Sequence, residues 1–225
     1  HLRNGKIKTG EGNTDVLGFI LHEQAGCHLF VNAGMPGDPN DDEANLYKDR
    51  LAEYVASHGI GLVLDLHGAA SSREFDFELG TAHGRNISGL EECVDAFVAL
   101  ASLMQKNTTV DTIFPAAGAN RISSCVKART SVPSLQIEIN KRLRRDYATV
   151  TGTAAMLVRY VNGIVSLLKV ADRKDYKLLW VCNSKTFMPR NLAILNAGLK
   201  DVFRRNDNVD LLFAAGTEEF VVKGH

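Results

Sequence analysis

The fold is decided by the stretch IGLVLDLHG, residues 60–68, which is the most strand-like run of the chain. It is almost continuously apolar, which is typical of a strand buried on both faces of a parallel sheet. An ionisable side chain inside such a strand needs either a partner or a function. The period of two places Asp65 and His67 on one face and the leucines on the other. We therefore expect a buried strand that carries a polar site at its C-terminal end.

A second strand, LQIEIN at residues 135–140, repeats this pattern. Gln136, Glu138 and Asn140 share one face, and the apolar residues share the other. In open α/β sheets, ligands bind in the crevice above the carboxyl ends of the strands. Both strands carry their polar groups towards that end, so the pattern predicts that they share one site.

The surrounding chain alternates apolar runs with segments of helical period, which predicts an α/β fold. A length of 225 residues fits one large domain of this class. We expect residues 1–170 to form the catalytic core and residues 171–225 to add a strand, a helix and a strand to the same domain. Further predicted strands cover residues 27–33 and 75–80, and helices are predicted from Asn13 or Thr14 to Gly26, around Tyr47–Val55, around Val94–Met104 and over about residues 149–169.

The charge balance disfavours partners that carry many negative charges. Lys and Arg total 26, as do Asp and Glu, so no net charge attracts nucleic acid or an anionic membrane surface. No apolar stretch approaches the roughly 20 residues of a membrane-spanning helix. The four cysteines form no CxxC pair, which favours a cytoplasmic location. Because the chain opens at His1, we expect natural sequence to precede it; the oligomeric state stays open.

His67 and Glu138 are the side chains with the clearest chemical potential. A His at a strand tip followed by Gly68 suits a metal ligand, with Asp65 supporting it or contacting substrate. The alternative is a structural pair of His67 with Asp65. Glu138 is either a catalytic or ligating carboxylate or the structural partner of an arginine, for which the candidates are Arg121, Arg129 and Arg142.

Zinc hydrolases need three protein ligands, an open position for water and a nearby carboxylate base. His67 supplies one ligand, Glu138 a base, and His1, Glu11 and Asp15 are candidates for the other ligands. The chain contains no HExxH, GxGxxG, GxxxxGK[ST] or GxSxG motif. Their absence disfavours zincin, dinucleotide-binding, P-loop and serine-hydrolase interpretations.

Taken together, DLHG at 65–68, Arg73, FDFELGT at 75–81 and LQIEINKRLR at 135–144 resemble the N-formylglutamate amidohydrolase family. The resemblance covers about residues 1–147. It implies a fold like that of the zinc carboxypeptidases, with a mixed, mostly parallel sheet and helices on both faces. It also implies zinc-dependent hydrolysis of an amide bond in an N-acyl amino acid, N-formylglutamate-like, or in a small peptide-like substrate.

The same resemblance assigns roles to individual residues. It implies that His67 binds zinc and that Glu138 activates water and then protonates the leaving amine. His1 resembles the remnant of a metal-binding turn. The acidic ligand is then Glu11, which is preferred to Asp15. A peptidase of γ-glutamyl or cell-wall links would use the same chemistry. The alternative from another class is a non-catalytic small-molecule-binding or regulatory domain that keeps the fold without a complete metal site.

Substrates of that family carry carboxylates, which a guanidinium binds bidentately. Arg73 and Arg121 are the first candidates for this contact. Arg129, Arg142 and Asn140 are further candidates. The basic run at residues 141–145 is predicted to be a solvated helix start.

Overall fold

The structure is a computed structural model that describes the backbone of residues 2–3, 6–7, 11–32, 37–170, 177–182, 210–215 and 218–223, and the side chains of 11–32 and 37–165. Ten strands and five α-helices lie in these ranges. The strands are β1 (Leu2–Arg3), β2 (Lys6–Ile7), β3 (His28–Asn32), β4 (Ile60–Ala69), β5 (Phe77–Gly80), β6 (Thr108–Val110), β7 (Ser134–Asn140), β8 (Lys177–Cys182), β9 (Asp210–Ala215) and β10 (Glu218–Lys223). The helices are α1 (Thr14–Ala25), α2 (Leu46–Ser57), α3 (Glu92–Leu103), α4 (Ile122–Thr130) and α5 (Tyr147–Val170).

The main sheet has eight strands in the order β10-β9-β3-β8-β4-β7-β5-β6. Strand β5 runs antiparallel to β7, and β10 runs antiparallel to β9. All other neighbours in this sheet are parallel. The predicted α/β class, with a mixed and mostly parallel sheet flanked by helices, is confirmed.

The C-terminal strands belong to this same sheet. Strand β8 lies between β3 and β4, and β9 pairs with the other edge of β3. The helix predicted between them lies outside the described residues. Strand β10 is an addition that the sequence pattern did not predict.

Each face of the sheet packs on a different set of helices. Leu64, Leu66 and Ile137 share a buried apolar cluster with residues of α1, α3 and α5. Val63 joins a smaller cluster with Phe30 and residues of α2 and α4 on the opposite face. Because side chains alternate along a strand, the polar residues of β4 and β7 point to the α2/α4 side. They extend beyond the smaller apolar cluster towards the C-terminal ends of the strands.

Most predicted elements are present, with small shifts at their ends. Helix α1 ends at Gly26, whose φ of 67° suits a left-handed helix cap. Helix α4 and strand β6 were not predicted, because α4 reads ISSCVKART with little apolar periodicity and β6 has only three residues. Within the described part of the chain, no helix has the length and apolar content needed to cross a membrane.

Candidate functional site

The polar residues of β4 and β7 lie side by side, as their sequence pattern predicted. In the parallel pairing of these strands, Asp65 lies opposite Gln136 and His67 lies opposite Glu138. Strand β5 extends the second row, because Glu78 lies opposite Glu138 across the antiparallel pair. Three adjacent strands thus present one row of ionisable side chains on the same face of the sheet.

A cavity of about 490 Å³ opens above this row. Five residues singled out by the sequence line it, namely Glu11, His67, Arg73, Arg121 and Glu138. Asn40, Gln136 and the segment 113–118 complete much of its wall. The lining therefore combines two carboxylates and an imidazole with two arginines.

His67 is enclosed by two carboxylates. Its Nδ1 lies 3.4 Å from Oε2 of Glu11, and its Nε2 lies 3.0 Å from Oδ1 of Asp65. Burial disfavours the charged imidazole, but the negative charges of Asp65 and Glu11 outweigh burial and raise the pKa of His67 well above its ordinary value. The two carboxylates thus favour the protonated form of His67.

Asp65 lies beneath the cavity and is fully buried. Its Oδ2 accepts a hydrogen bond of 3.3 Å from the hydroxyl of Ser123 in α4, which is also fully buried. The short contact between Asp65 Oδ1 and His67 Nε2 does not have hydrogen-bond geometry, and both atoms lack a hydrogen-bond partner among the described residues. The two interpretations drawn from the sequence, a support for a ligand and a structural pair, both require this proximity.

Glu138 faces the cavity from β7. The side-chain amide of Gln136 donates a hydrogen bond of 3.2 Å to Oε1 of Glu138. The three arginines considered as structural partners each approach an aspartate elsewhere: Arg121 lies 3.7 Å from Asp41, Arg129 lies 2.5 Å from Asp49, and Arg142 lies 2.9 Å from Asp76.

The two cavity arginines are held in different ways. The Arg73 guanidinium lies over the ring of Phe114, 5.2 Å from its centroid. Arg121 donates a hydrogen bond of 2.6 Å to the Asn40 carbonyl. Each is partly exposed, so each can present N–H donors to an anion that enters the cavity.

Among the residues that the structure describes, the other predicted site residues do not line the cavity. Arg129 and Arg142 pair with aspartates at partly exposed positions. Asn140 is buried and donates to the carbonyls of Arg73 and Phe75, so it fixes the loop after β4. Asp15 is buried in the first turn of α1. His1 lies outside the described residues.

Two of the buried ionisable residues that escaped the sequence analysis contact segments of the candidate site. Glu78 is fully buried, and its Oε1 accepts backbone N–H groups of Ile113 and of Phe114, the latter at 2.7 Å. Arg144 is buried, although the basic run at 141–145 was predicted to be solvated. That prediction is wrong for Arg144, because a 3₁₀ helix at Lys141–Leu143 turns its side chain back under the strand ends. For Glu78 the sequence did contain a signal. It is a carboxylate in the middle of the short strand FDFELG, as Glu138 is in LQIEIN.

The donor atoms around His67 fit part of a zinc site. His nitrogen and carboxylate oxygen are both zinc ligands, and a carboxylate behind a ligating His is a common supporting arrangement. His67 Nδ1 and Glu11 Oε2 supply two such donors, and Asp65 lies behind the ring. Among the residues with described side chains, no three His, Cys, Asp or Glu groups are arranged to hold a metal ion. A zinc site here would need a third protein ligand from outside them, and the predicted candidate His1 is not among the described residues.

Comparison with known proteins gives similarities at the level of fold. No protein-family model and no curated protein match the sequence. An N-formylglutamate amidohydrolase from Ralstonia eutropha JMP134 is similar in structure at 19% identity, with 56% of this chain and 51% of that one covered and a TM-score of 0.45. A gene product from Agrobacterium tumefaciens is similar at 15% identity, with coverages of 55% and 50% and a TM-score of 0.43. The chain spans about half the length of these two proteins.

Proposed function

We propose that the protein is a zinc-dependent amidohydrolase that cleaves the amide bond of an N-acyl amino acid, N-formylglutamate-like, or of a small peptide-like substrate. The observation that carries the proposal is that His67, Glu11 and Glu138 line one cavity together with Arg73 and Arg121. The carboxylates suit a cation and a proton transfer. The two guanidinium groups suit a substrate carboxylate.

In this proposal His67 and Glu11 hold zinc together with a ligand outside the described residues. Zinc would supply Lewis-acid chemistry, since it withdraws electron density from a carbonyl and makes water more acidic. Asp65, held by Ser123, lies 3.0 Å from Nε2 of His67 and would favour the tautomer that carries its proton on that nitrogen, which leaves Nδ1 for the metal. Because a ligating imidazole must be unprotonated, metal binding displaces the proton that the two carboxylates favour on His67.

Glu138 carries the proton transfers. Its carboxylate removes a proton from water as the water oxygen bonds to the amide carbon. It then returns that proton to the amide nitrogen as the carbon–nitrogen bond breaks, which yields a carboxylic acid and an amine. The amide of Gln136 orients the Glu138 carboxylate for these steps. Arg73 and Arg121 orient the substrate by its carboxylate.

The test combines metal analysis with assays of N-formylglutamate and other N-acyl amino acids. Wild-type protein loaded with zinc should retain it near stoichiometrically and release the amine. His67→Ala should lose the metal, whereas Glu138→Gln should retain it and lose hydrolysis by about 10²-fold to 10⁴-fold.

Two exposed positions provide matched controls. The side chains of His83 and Glu53 are 66% and 68% exposed, so His83→Ala and Glu53→Gln should change neither metal content nor hydrolysis. Protein that stays free of zinc and shows no hydrolysis dependent on Glu138 would contradict the proposal. That outcome would favour a non-catalytic binding domain.

A further inference from the structure

We infer that Arg144 is the positioning residue of this site: its guanidinium, threaded past Gly68, holds the Glu11 loop against the carboxyl ends of β4 and β7. Arg144 comes from neither strand and does not line the cavity. Its role is to set where the Glu11 carboxylate stands relative to His67. The part of the inference that concerns zinc rests on the proposed function, whereas the part that concerns Glu11 does not.

The guanidinium joins three segments of the chain. Its Nε donates to the Ile139 carbonyl in β7 at 3.0 Å, and its Nη2 donates to the Ala69 carbonyl in β4 at 3.0 Å. Its Nη1 donates to the Gly12 carbonyl, next to Glu11, at 2.5 Å. The planar fork of arginine can make these bonds together, whereas a lysine ammonium is a single point.

The backbone of Arg144 adds a second tie to the same loop. Its carbonyl accepts a hydrogen bond of 2.7 Å from the side-chain amide of Asn13. The residues on the C-terminal side of Glu11 are thus fixed twice by one arginine. Glu11 in turn accepts the N–H of Gly68 at 3.2 Å and approaches His67 Nδ1.

The glycine of the DLHG motif is explained by this arrangement. A Cβ atom at Gly68 would lie 2.3 Å from Nη2 and 2.5 Å from Cζ of Arg144, so any side chain there displaces the guanidinium. Gly68 does not have a positive φ, and its backbone could accept alanine. The need for glycine at this position is therefore a need for space beside Arg144.

The charge of Arg144 also suits the acidic site. Burial lowers the pKa of the guanidinium, while the negative charges of Glu11 and Glu138 act in the opposite direction. An arginine stays protonated even so. It places a permanent positive charge among carboxylates without occupying the cavity, which leaves the cavity to substrate and metal.

The experiment perturbs Arg144 directly and through Gly68. The variants are Arg144→Met, Arg144→Lys and Gly68→Ala. The controls are Arg145→Met, because the Arg145 side chain is 70% exposed, and Gly152→Ala, because nothing lies within 4 Å of a Cβ there. Glu11→Ala is the positive control for loss of the acceptor of the amide at position 68.

The first readout is hydrogen exchange of metal-free protein, comparing the amide at position 68 with those of Leu64 and Leu66. In Arg144→Met and Gly68→Ala, the amide at position 68 should exchange about tenfold faster or more relative to the other two, as in Glu11→Ala. A purely structural arginine would accelerate all three amides equally. Equal acceleration, or no acceleration, overturns the inference.

The second readout is zinc affinity measured against a competing chelator. Arg144→Met and Gly68→Ala should lower it about 10-fold to 100-fold, as loss of a supporting contact does, and the two controls should not. An unchanged affinity overturns the part of the inference that concerns zinc. If wild-type protein takes up no zinc, the proposed function fails while the exchange data still decide the role of Arg144. If Arg144→Met does not fold, Gly68→Ala and Arg144→Lys decide it.

Discussion

Replacing Glu78 should loosen the cavity wall formed by residues 113–118. Glu78 is fully buried, and no Lys, Arg or His forms an ion pair with it among the described residues. Its charge is instead stabilised by the backbone N–H groups of Ile113 and Phe114. The Phe114 ring lies under Arg73, so this contact links a buried strand to a guanidinium proposed to bind substrate.

The magnitude follows from the two hydrogen bonds. Each bond to a charged acceptor contributes about 1.5–3 kcal/mol, so Glu78→Ala removes up to about 3–6 kcal/mol. Oε2 of Glu78 has no hydrogen-bond partner among the described residues, and its removal offsets part of that loss. We therefore expect about 2–4 kcal/mol for Glu78→Ala. Glu78→Gln keeps an acceptor oxygen but loses the charge, so about half of this loss is expected.

Urea unfolding of both variants measures these free energies, and limited proteolysis measures exposure of residues 111–118. Proteolysis in this segment should increase in the order wild type, Glu78→Gln, Glu78→Ala. If hydrolysis of N-acyl amino acids is found, KM should rise more than kcat falls. The matched control is Glu53→Gln at an exposed position. Equal stability of Glu78→Ala and wild type would refute the reasoning.

Three further predictions concern the surroundings of His67 and the surface. Against the effect of burial, the charges of Asp65 and Glu11 raise the pKa of His67 above its unfolded value near 6.5. Their contribution to the stability of metal-free protein is therefore complete below that value and is lost as the pH rises through the folded pKa. Urea unfolding at several pH values should show a free energy of unfolding that falls with pH, and His67→Gln should flatten this decline. Asp65→Asn should lower zinc affinity about 10-fold to 100-fold, because Asp65 lies directly behind His67. Ser123→Ala should lower it by a smaller factor, equivalent to about 1 kcal/mol, because the Ser123 hydroxyl bonds to Asp65 and not to His67. Equal losses in a chelator titration would contradict this ranking of the two residues. Arg129→Met should change the free energy of unfolding by less than about 0.5 kcal/mol and leave hydrolysis unchanged, because the pair of Arg129 with Asp49 is exposed to solvent. A clear loss of stability or of hydrolysis would contradict the placement of Arg129 outside the site.

The arrangement of the two central strands could be predicted because it depends on a local rule. The alternation in LVLDLHG and LQIEIN places polar side chains on one face whatever the rest of the chain does. The C-terminal position of His67 and Glu138 then indicates the edge of the sheet where they meet. The structure confirms this adjacency in the pairing of β4 with β7.

The arginines could not be sorted by local rules. Arg121 directly precedes α4 and Arg129 lies in its last turn, yet one lines the cavity and the other pairs with Asp49. Arg144 and Arg145 are neighbours in the same basic run, yet Arg144 is buried and Arg145 is exposed. The sequence does not distinguish them, whereas the 3₁₀ helix before Arg144 does. The place of a long, flexible cation depends on contacts between segments distant in the sequence, and those contacts leave no periodic signal.

The alternation of β4, β7 and β5 also protects the sheet against mispairing while it forms. A shift of β7 by one residue would turn Gln136 and Glu138 towards the apolar cluster that packs on α1, α3 and α5, where burial of a carboxylate is costly. Every offset by an odd number is rejected on the same ground. The polar side chains of β7 that are proposed to take part in catalysis therefore also disfavour misaligned strand pairing during folding.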